Sequence, residues 1–262
     1  RALGICAGYL SFTGVLTSYL TYAVASILTG CPLIVFSSTQ GCLQAYLLAE
    51  MEKELMQVPG ALSLVFGGYE EFRLVSAMES IRAVFYTGSK EHCDLLHTEL
   101  KEDRSRQLVL QSGGKNTVLV HSTADIEQAV AEICYGAFKS AGQLCSATSR
   151  VFVYRSLLGQ FKEAMLARIS SMTVGRTDLF EEDQDPQMGP LYSRKAVEKF
   201  LRFQTMANRE AESVWHYGAE LALSQEGGFF VSPAVRYLSK VDKKSPYQRN
   251  ILFSPDLAIY SY

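Results

Sequence analysis

Cys145 is the first candidate for a chemically active side chain. It follows the helix-breaking pair Gly142-Gln143 and precedes small polar residues. A thiol in such a turn is partly exposed, and nearby backbone N–H groups can stabilise its thiolate or an oxyanion. Because most free cysteines are structural, position alone slightly favours a structural role for the Cys145 thiol. Cysteines in apolar strand or helix segments are expected to be small core residues: Cys6, Cys31 and Cys134.

A second group of reactive side chains consists of His92, Cys93 and His97. Cys93 and His97 are four residues apart, so they share one face of a helix and could supply two metal ligands. The sequence offers no evident third ligand, so a solvated helix surface is the favoured interpretation and no metal is expected. The sequence also lacks the Gly-x-Ser-x-Gly turn and the common glycine-rich phosphate loops.

The composition indicates a globular protein with a sizeable core. Hydrophobic residues make up 48% and charged residues 20% of the 262 residues, enough for one large α/β domain or two modest ones. The formal net charge of −2 leaves no basic excess, so no nucleic-acid partner is expected. The six cysteines contain no Cys-x-x-Cys pair, so neither a zinc ribbon nor a thioredoxin-type centre is indicated. A chain of this length does not need disulfides to fold, and its scattered thiols favour a reducing, cytoplasmic setting.

The segment from Ala2 to Ala49 contains no charged residue. Roughly 20 apolar residues suffice to span a membrane, which is one interpretation of this segment. Glycines, Pro32 and frequent Ser and Thr interrupt the segment, however, and no basic cluster sets an orientation. We therefore expect a deeply buried β-α-β unit and no membrane partner.

Short β-branched runs alternate with helical stretches in the first half of the chain. This alternation predicts a parallel sheet covered by helices on both faces. Ligands of such sheets bind beyond the carboxyl ends of the strands, where Gly68 and the turn Thr87-Gly88-Ser89 are predicted to lie. The predicted strands are 3–6, 33–36, 61–66, 83–86 and 108–111, and the predicted helices are 15–28, 40–56, 70–77 and 91–102.

The glycine pair at 113–114 marks the predicted domain boundary, which we place between residues 1–112 and 113–262. Beyond it a second α/β unit is expected, with a polar loop at 178–190. Its predicted strands are 117–120, 151–154, 227–235 and 257–261, and its predicted helices are 125–139, 157–170 and 193–211.

Three segments together resemble the aldehyde dehydrogenase superfamily. Residues 85–89, Phe-Tyr-Thr-Gly-Ser, resemble the family's Phe-Thr-Gly-Ser turn, which approaches the cofactor. Residues 112–116, Ser-Gly-Gly-Lys-Asn, resemble the Gly-Gly-Lys hinge between its cofactor and catalytic domains, and residues 142–146, Gly-Gln-Leu-Cys-Ser, resemble the segment of its nucleophilic cysteine. Weaker matches follow in order at 188–191, 228–233 and 251–255. The hinge, with 124–125 and 146–147, is similar to that of enzymes for glutamate-type semialdehydes.

The resemblance implies a Rossmann-like cofactor-binding lobe over 1–112, incomplete relative to the family, and a catalytic lobe over 113–262. It implies oxidation of a small-molecule aldehyde with NAD or NADP. The Cys145 thiolate would attack the aldehyde, hydride would pass to the cofactor, and a general base would activate water to release the acid. The implied cofactor contacts are Gly68, Thr87, Gly88, Ser89 and Phe253. The match omits the family's N-terminal portion and last segment, so we expect a piece of a longer protein that forms a homo-oligomer.

Several positions depart from the family pattern. Gln111 stands where the family has its general-base Glu, and a carboxamide cannot accept a proton from water near neutral pH. No Asn occurs near residues 9–11, where the family has a second oxyanion donor. Phe36, Thr39 and Ile251 replace a Lys and two Glu that hold the cofactor's riboses, although Thr39 leaves room for a 2′-phosphate. These departures support an alternative, a catalytically weakened relative that serves as a binding or assembly module.

Overall fold

The computed structural model describes residues 2–55, 58, 60–176, 186–222 and 227–262. The chain divides into two units, Arg1–Gly113 and Gly114–Tyr262. Each unit has its own sheet and its own hydrophobic clusters. Most of the predicted loop 178–190 and the end of the predicted helix 40–56 lie outside the described residues.

The first unit contains an entirely parallel five-stranded sheet, which confirms the fold predicted for it. The strand order is β3-β2-β1-β4-β5. Alternate residues of the central strand β1 point into opposite cores, since Cys6 and Leu10 belong to one cluster and Ala7 and Tyr9 to the other. The strands are β1 (Ile5–Leu10), β2 (Leu33–Ser37), β3 (Leu62–Phe66), β4 (Ile81–Gly88) and β5 (Gln107–Ser112), and the helices are α1 (Val15–Thr29), α2 (Cys42–Leu55), α3 (Tyr69–Ser76) and α4 (Lys90–Leu100).

The order of the strands reverses between β1 and β4. The chain builds outward from β1 to β3 and then returns to add β4 on the other side of β1. In open α/β sheets this switch point, at the carboxyl ends of the strands, is where ligands bind. The turn 87–89 lies there because β4 ends at Gly88.

The uncharged N-terminal segment forms β1, α1, β2 and the start of α2. Within the described ranges, no helix is both long enough and apolar enough to cross a bilayer. The expectation of deep burial is only half right, because just one face of α1 packs on the sheet. Its outer face exposes large apolar side chains: Leu16, Leu20, Val24, Ile27 and Leu28.

The second unit has a mixed sheet in the order β6-β7-β10-β9-β8, with only β8 antiparallel. The helices that start at Ile126 and Arg194 begin at side-chain caps: the Asp125 carboxylate accepts the Gln128 N–H and the Ser193 hydroxyl accepts the Ala196 N–H. The strands are β6 (Asn116–Val120), β7 (Thr148–Val153), β8 (Ser213–His216), β9 (Ala234–Tyr237) and β10 (Asp256–Ser261), and the helices are α5 (Ile126–Phe138), α6 (Leu158–Ser170), α7 (Arg194–Glu210) and α8 (Pro246–Arg249).

The predicted strand 227–235 is misplaced, since only its last two residues belong to β9. Gly227 and Gly228 have φ of 97° and 153°, so they form a turn rather than extended chain. β8 and α8 were not predicted, because both are four residues long and carry no clear periodicity.

A buried ion pair joins the last two strands of this unit to two helices. The Arg236 guanidinium pairs with the Asp256 carboxylate, and both side chains are almost completely buried. Tyr247 donates its hydroxyl to Asp256 Oδ2 at 2.7 Å, and the Gln204 amide donates to Oδ1 at 3.0 Å. Burial opposes ionisation, but Arg236 and these donors hold the pKa of Asp256 below its usual value.

Replacing Asp256 by Asn should lower the free energy of unfolding by about 3 kcal/mol, because it leaves the Arg236 charge buried without a counter-ion. Since the folded-state pKa of Asp256 is depressed, its contribution is present above about pH 4 and is lost as the pH falls further. Urea titrations should therefore show that the difference in the free energy of unfolding between wild type and D256N becomes smaller as the pH falls below about 4. The control Glu220→Gln breaks the more exposed pair with Arg194 and should cost less than about 1 kcal/mol; equal losses for the two variants would contradict this account.

Candidate active site

A left-handed turn connects α5 to the segment that carries Cys145. Ser140, Ala141 and Gly142 have φ of 55°, 52° and 67° in succession. For residues other than glycine this conformation costs roughly 1–2 kcal/mol each, so the surrounding structure must hold it in place.

The buried side chain of Gln143 holds this turn through three hydrogen bonds. Its amide nitrogen donates to the carbonyl oxygens of Ser140 at 3.0 Å and Pro190 at 3.1 Å. Its amide oxygen accepts the backbone N–H of Tyr192 at 2.9 Å. The amide thereby ties the turn to the 190–192 segment and offsets part of its strain.

Gly142 also brings the turn against the segment that follows α8. A Cβ at position 142 would lie 2.4 Å from the carbonyl oxygen of Ser254, so only glycine fits this approach. Phe253, the neighbour of Ser254, itself has a left-handed φ of 58°. The contact brings Phe253 and the cysteine segment, both predicted site residues, to one place in the second unit.

Cys145 itself is exposed. Its carbonyl oxygen accepts a hydrogen bond from the Asn116 side-chain amide at 2.8 Å, and the same nitrogen donates to the Ala147 carbonyl at 3.0 Å. Among the described residues no acceptor takes the Cys145 backbone N–H. An exposed thiol beside an unengaged N–H is suited to nucleophilic attack followed by stabilisation of an oxyanion.

The other cysteines are different, apart from the exposed Cys42. Cys6, Cys31, Cys93 and Cys134 are buried. Burial raises the pKa of Cys6 and of Cys134 to about 11, so these thiols stay protonated at neutral pH.

Asn116 and Gln143 contribute to the site although the sequence pattern assigned neither of them a role. Both residues lie within motifs that the sequence analysis identified: Asn116 belongs to the hinge-like motif and Gln143 to the cysteine motif. Their function depends on carbonyl groups far away in sequence, which spacing alone does not reveal.

In the first unit, Gln111 lies beside the predicted cofactor turn. Thr87 pairs with Gln111 in the register of β4 and β5, and Gly88 pairs with Ser112. Gln111 is exposed on β5, the last strand in the sheet order. The Thr87 hydroxyl lies 2.9 Å from the hydroxyl of Tyr22. Ser89 caps α4 by accepting the His92 N–H.

The carboxyl edge of the sheet has polar groups suited to a sugar-phosphate ligand. The Ser38 hydroxyl, just beyond β2, is buried without a hydrogen-bond partner among the described residues. Gly68 follows β3 and donates its N–H to the Glu71 carboxylate at 2.8 Å. A buried orphan hydroxyl at a ligand-binding edge is a natural partner for a ribose hydroxyl.

Two of the departures from the family pattern, at Phe36 and near residues 9–11, place aromatic side chains in this unit where the resemblance leads us to expect polar ones. Phe36 is buried edge-on against Phe72, with ring centroids 5.6 Å apart, so it contributes packing where a Lys would donate. Near residues 9–11, Tyr9 stacks on Tyr86 at 5.2 Å. These aromatic residues belong to one apolar cluster of the first unit.

The His92, Cys93 and His97 group does not form a metal centre. Cys93 is buried while His97 is exposed, and His92 stacks on Tyr69 with ring centroids 3.6 Å apart. Burial lowers the pKa of His92, whose Nδ1 lies 2.9 Å from the Tyr86 hydroxyl. Within the described part of the chain, no three His, Cys, Asp or Glu side chains come together as metal ligands.

Taken together, the fold and site define a two-unit α/β protein with an exposed cysteine shortly after a strained turn of the second unit. The chain belongs to the aldehyde dehydrogenase family, which it matches over residues 1–262. This confirms the resemblance drawn from the three motifs.

The chain spans less than half the length of each of two curated relatives that it matches. It is 31% identical over 202 residues to alpha-ketoglutaric semialdehyde dehydrogenase of Bacillus subtilis, covering 76% of this chain and 40% of the relative. It is 28% identical over 243 residues to 2-aminomuconic semialdehyde dehydrogenase of Danio rerio, covering 90% and 48%.

Among solved structures, the fold is similar to that of a betaine aldehyde dehydrogenase double mutant from Staphylococcus aureus in complex with NAD+. The TM-score is 0.89 at 24% identity, and the match covers 100% of this chain and 51% of that one. Proline utilization A from Bradyrhizobium japonicum (mutant D779W) also gives a TM-score of 0.89, at 22% identity, with 100% and 26% covered. At these identities the likeness establishes the fold alone.

Replacing Gly142 by Ala should lower the free energy of unfolding by about 3 kcal/mol, because a Cβ adds backbone strain and overlaps the Ser254 carbonyl. Gly227→Ala is the matched control, since φ is also positive there but the space around it is open. That control should cost only about 1 kcal/mol. Urea titration measures both, and a Gly142 variant no less stable than the Gly227 variant would show that the turn does not depend on this contact.

Proposed function

We propose that this chain is part of an enzyme that oxidises a small-molecule aldehyde to a carboxylate with NAD or NADP, and that Cys145 is its nucleophile. The exposed Cys145 thiol in the turn built by Gly142 and Gln143 is the observation that carries the proposal. Family membership supports it. In this proposal residues 1–112 form the cofactor-binding lobe and residues 113–262 the catalytic lobe.

The proposed chemistry at Cys145 begins with attack of its thiolate sulfur on the aldehyde carbon. The C=O electron pair moves onto oxygen, giving a thiohemiacetal anion that the Cys145 N–H stabilises. A bound NAD or NADP would supply the acceptor for the hydride that leaves the aldehyde carbon. The sulfur then holds a thioester, which water must hydrolyse to free Cys145 as a thiol.

The proposed cofactor contacts are Gly68, Thr87, Gly88 and Ser89 at the carboxyl edge of the first sheet, together with Phe253. The orphan hydroxyl of Ser38 adds a hydrogen-bond group for a ribose. The NAD+ complex of the staphylococcal relative supports NAD. Thr39 carries no charge to repel a 2′-phosphate, so NADP also fits.

We propose an aldehyde of the semialdehyde class as the substrate, because two relatives are named for semialdehydes. The six free thiols support a reducing, cytoplasmic setting. The full-length protein is proposed to be a homo-oligomer.

Gln111 favours a second candidate function. Its carboxamide cannot take a proton from water, so hydrolysis of the thioester should be slow. Together with Phe36 and Ile251, which offer no polar anchor for a ribose, it favours a weakened relative that acts as a binding or assembly module. The two candidates differ in whether Cys145 becomes acylated.

Incubation with NAD+ or NADP+ and an aldehyde panel that includes glutamate semialdehyde should yield up to about one reduced cofactor per chain, followed by slow turnover. Intact-protein and peptide mass spectrometry should find the acyl group on Cys145, and Cys145→Ser should abolish both signals. If the wild type gives no reduced cofactor and no acyl group on Cys145, the enzymatic proposal is refuted. The binding or assembly module is then the remaining candidate function.

The Gln111→Glu variant tests whether the missing general base is what limits turnover. If the missing base alone limits turnover, steady-state turnover should rise by roughly 10²-fold or more, the usual contribution of a general base. Gln107→Glu is the matched control, because it adds the same charge at another exposed position of β5 and should change nothing. An equal response of the two variants would exclude a specific role for position 111.

A further inference from the structure

The second unit contains a cavity that the proposed chemistry does not use. Its volume is about 380 Å³, within the range of small-molecule sites. It lies between the start of the sheet, the 241–243 loop and α8. The charged side chains that line it are four cations and one carboxylate: Lys115, Arg150, Lys243, Arg249 and Asp242.

Within the part of the chain that the structure describes, the four cations have no counter-ion. Among these residues, no carboxylate lies within ion-pair distance of any of them. The Asp242 carboxylate instead accepts the backbone N–H of Lys244 at 2.8 Å and so closes its own loop. The cavity wall therefore carries a net positive charge.

The neutral polar groups of the wall are engaged with one another or with neighbouring side chains. The Tyr260 hydroxyl donates to Gln248 Oε1 at 3.0 Å, and the same oxygen accepts the Asp242 N–H at 2.9 Å. The Gln248 amide nitrogen donates to the Glu210 carboxylate at 3.2 Å. The charged donors are thus the groups left to bind a ligand.

Two of the cations, Arg150 and Lys115, lie where a bound anion would supply the missing negative charge. One terminal nitrogen of Arg150 donates to the Lys115 carbonyl at 2.5 Å, while Arg150 Nε is buried without a partner among the described residues. Among the described residues, the acceptors of Lys115 are the main-chain carbonyl oxygens of Tyr247 and Asn250. Burial lowers the pKa of Lys115; the Asp256 carboxylate opposes this shift, and the charges of Arg150 and Arg236 add to it.

We propose that this cavity binds a multiply charged oxyanion of the phosphate class, either free phosphate or a small phosphate monoester. Two guanidinium groups and two ammonium groups suit a phosphate, which accepts several charge-assisted hydrogen bonds at once. A monocarboxylate would neutralise only one of the four charges. The volume leaves room for a small organic group beside the phosphate.

Calorimetry on the whole chain, with inorganic phosphate and with glycerol 3-phosphate as probes, tests the site. Sodium chloride at equal ionic strength is the blank for general screening. Saturable 1:1 binding is expected, with glycerol 3-phosphate the tighter probe if the ligand is an ester and the two equal if it is the free ion. Failure of both probes to saturate would overturn the proposal.

Lys243→Ala and Arg249→Ala provide the specificity test, since both side chains are exposed and removing them should leave the fold intact. Each should weaken binding about tenfold by removing one charge-assisted contact. Lys244→Ala removes the same charge from the adjacent, non-lining position and should change affinity less than twofold. An equal loss in Lys244→Ala would show general charge attraction and overturn the site. Cys145→Ser should bind phosphate like wild type, which separates this result from the outcome for aldehyde oxidation.

Discussion

The close approach of Gly142 to the Ser254 carbonyl is the constraint on which the candidate site depends. A Cβ at position 142 would lie 2.4 Å from that oxygen, so the turn can close only on a glycine. Three consecutive left-handed residues are unfavourable by themselves. The buried Gln143 amide offsets that strain with three hydrogen bonds. Cys145 follows two residues after Gln143 and is exposed.

The first unit shows how a family scaffold can persist while individual contacts change. Its parallel sheet, switch point and 87–89 turn suit a dinucleotide, and the register of β4 with β5 places Gln111 beside Thr87. The position proposed for the general base carries the carboxamide of Gln111, and Phe36, which the resemblance matches to a Lys, packs on Phe72. The scaffold is therefore that of the family, while the residues that the resemblance matches to a general base and to a ribose anchor are Gln111 and Phe36.

Much of the fold could be predicted from the sequence, because the evidence for it is local. The alternation of apolar strands with helices predicted the parallel sheet of the first unit, and Cys145 was selected by the helix-breaking residues before it. The remaining features depend on contacts between distant segments. The ion pair of Arg236 with Asp256 was not predicted, because these residues are 20 positions apart and meet only when β9 and β10 pair. The outer face of α1 was expected to be buried, because α1 is apolar on all sides and its sequence does not show which residues pack on the sheet.

The central claim is that the turn at 140–142 presents the Cys145 thiol to solvent while the core cysteines stay protected. Brief alkylation of the native chain with iodoacetamide, followed by peptide mass spectrometry, tests it most directly. The account predicts rapid modification of Cys145 and of the exposed Cys42, with Cys6 and Cys134 modified only after denaturation. Modification of Cys145 no faster than that of Cys134 would contradict it.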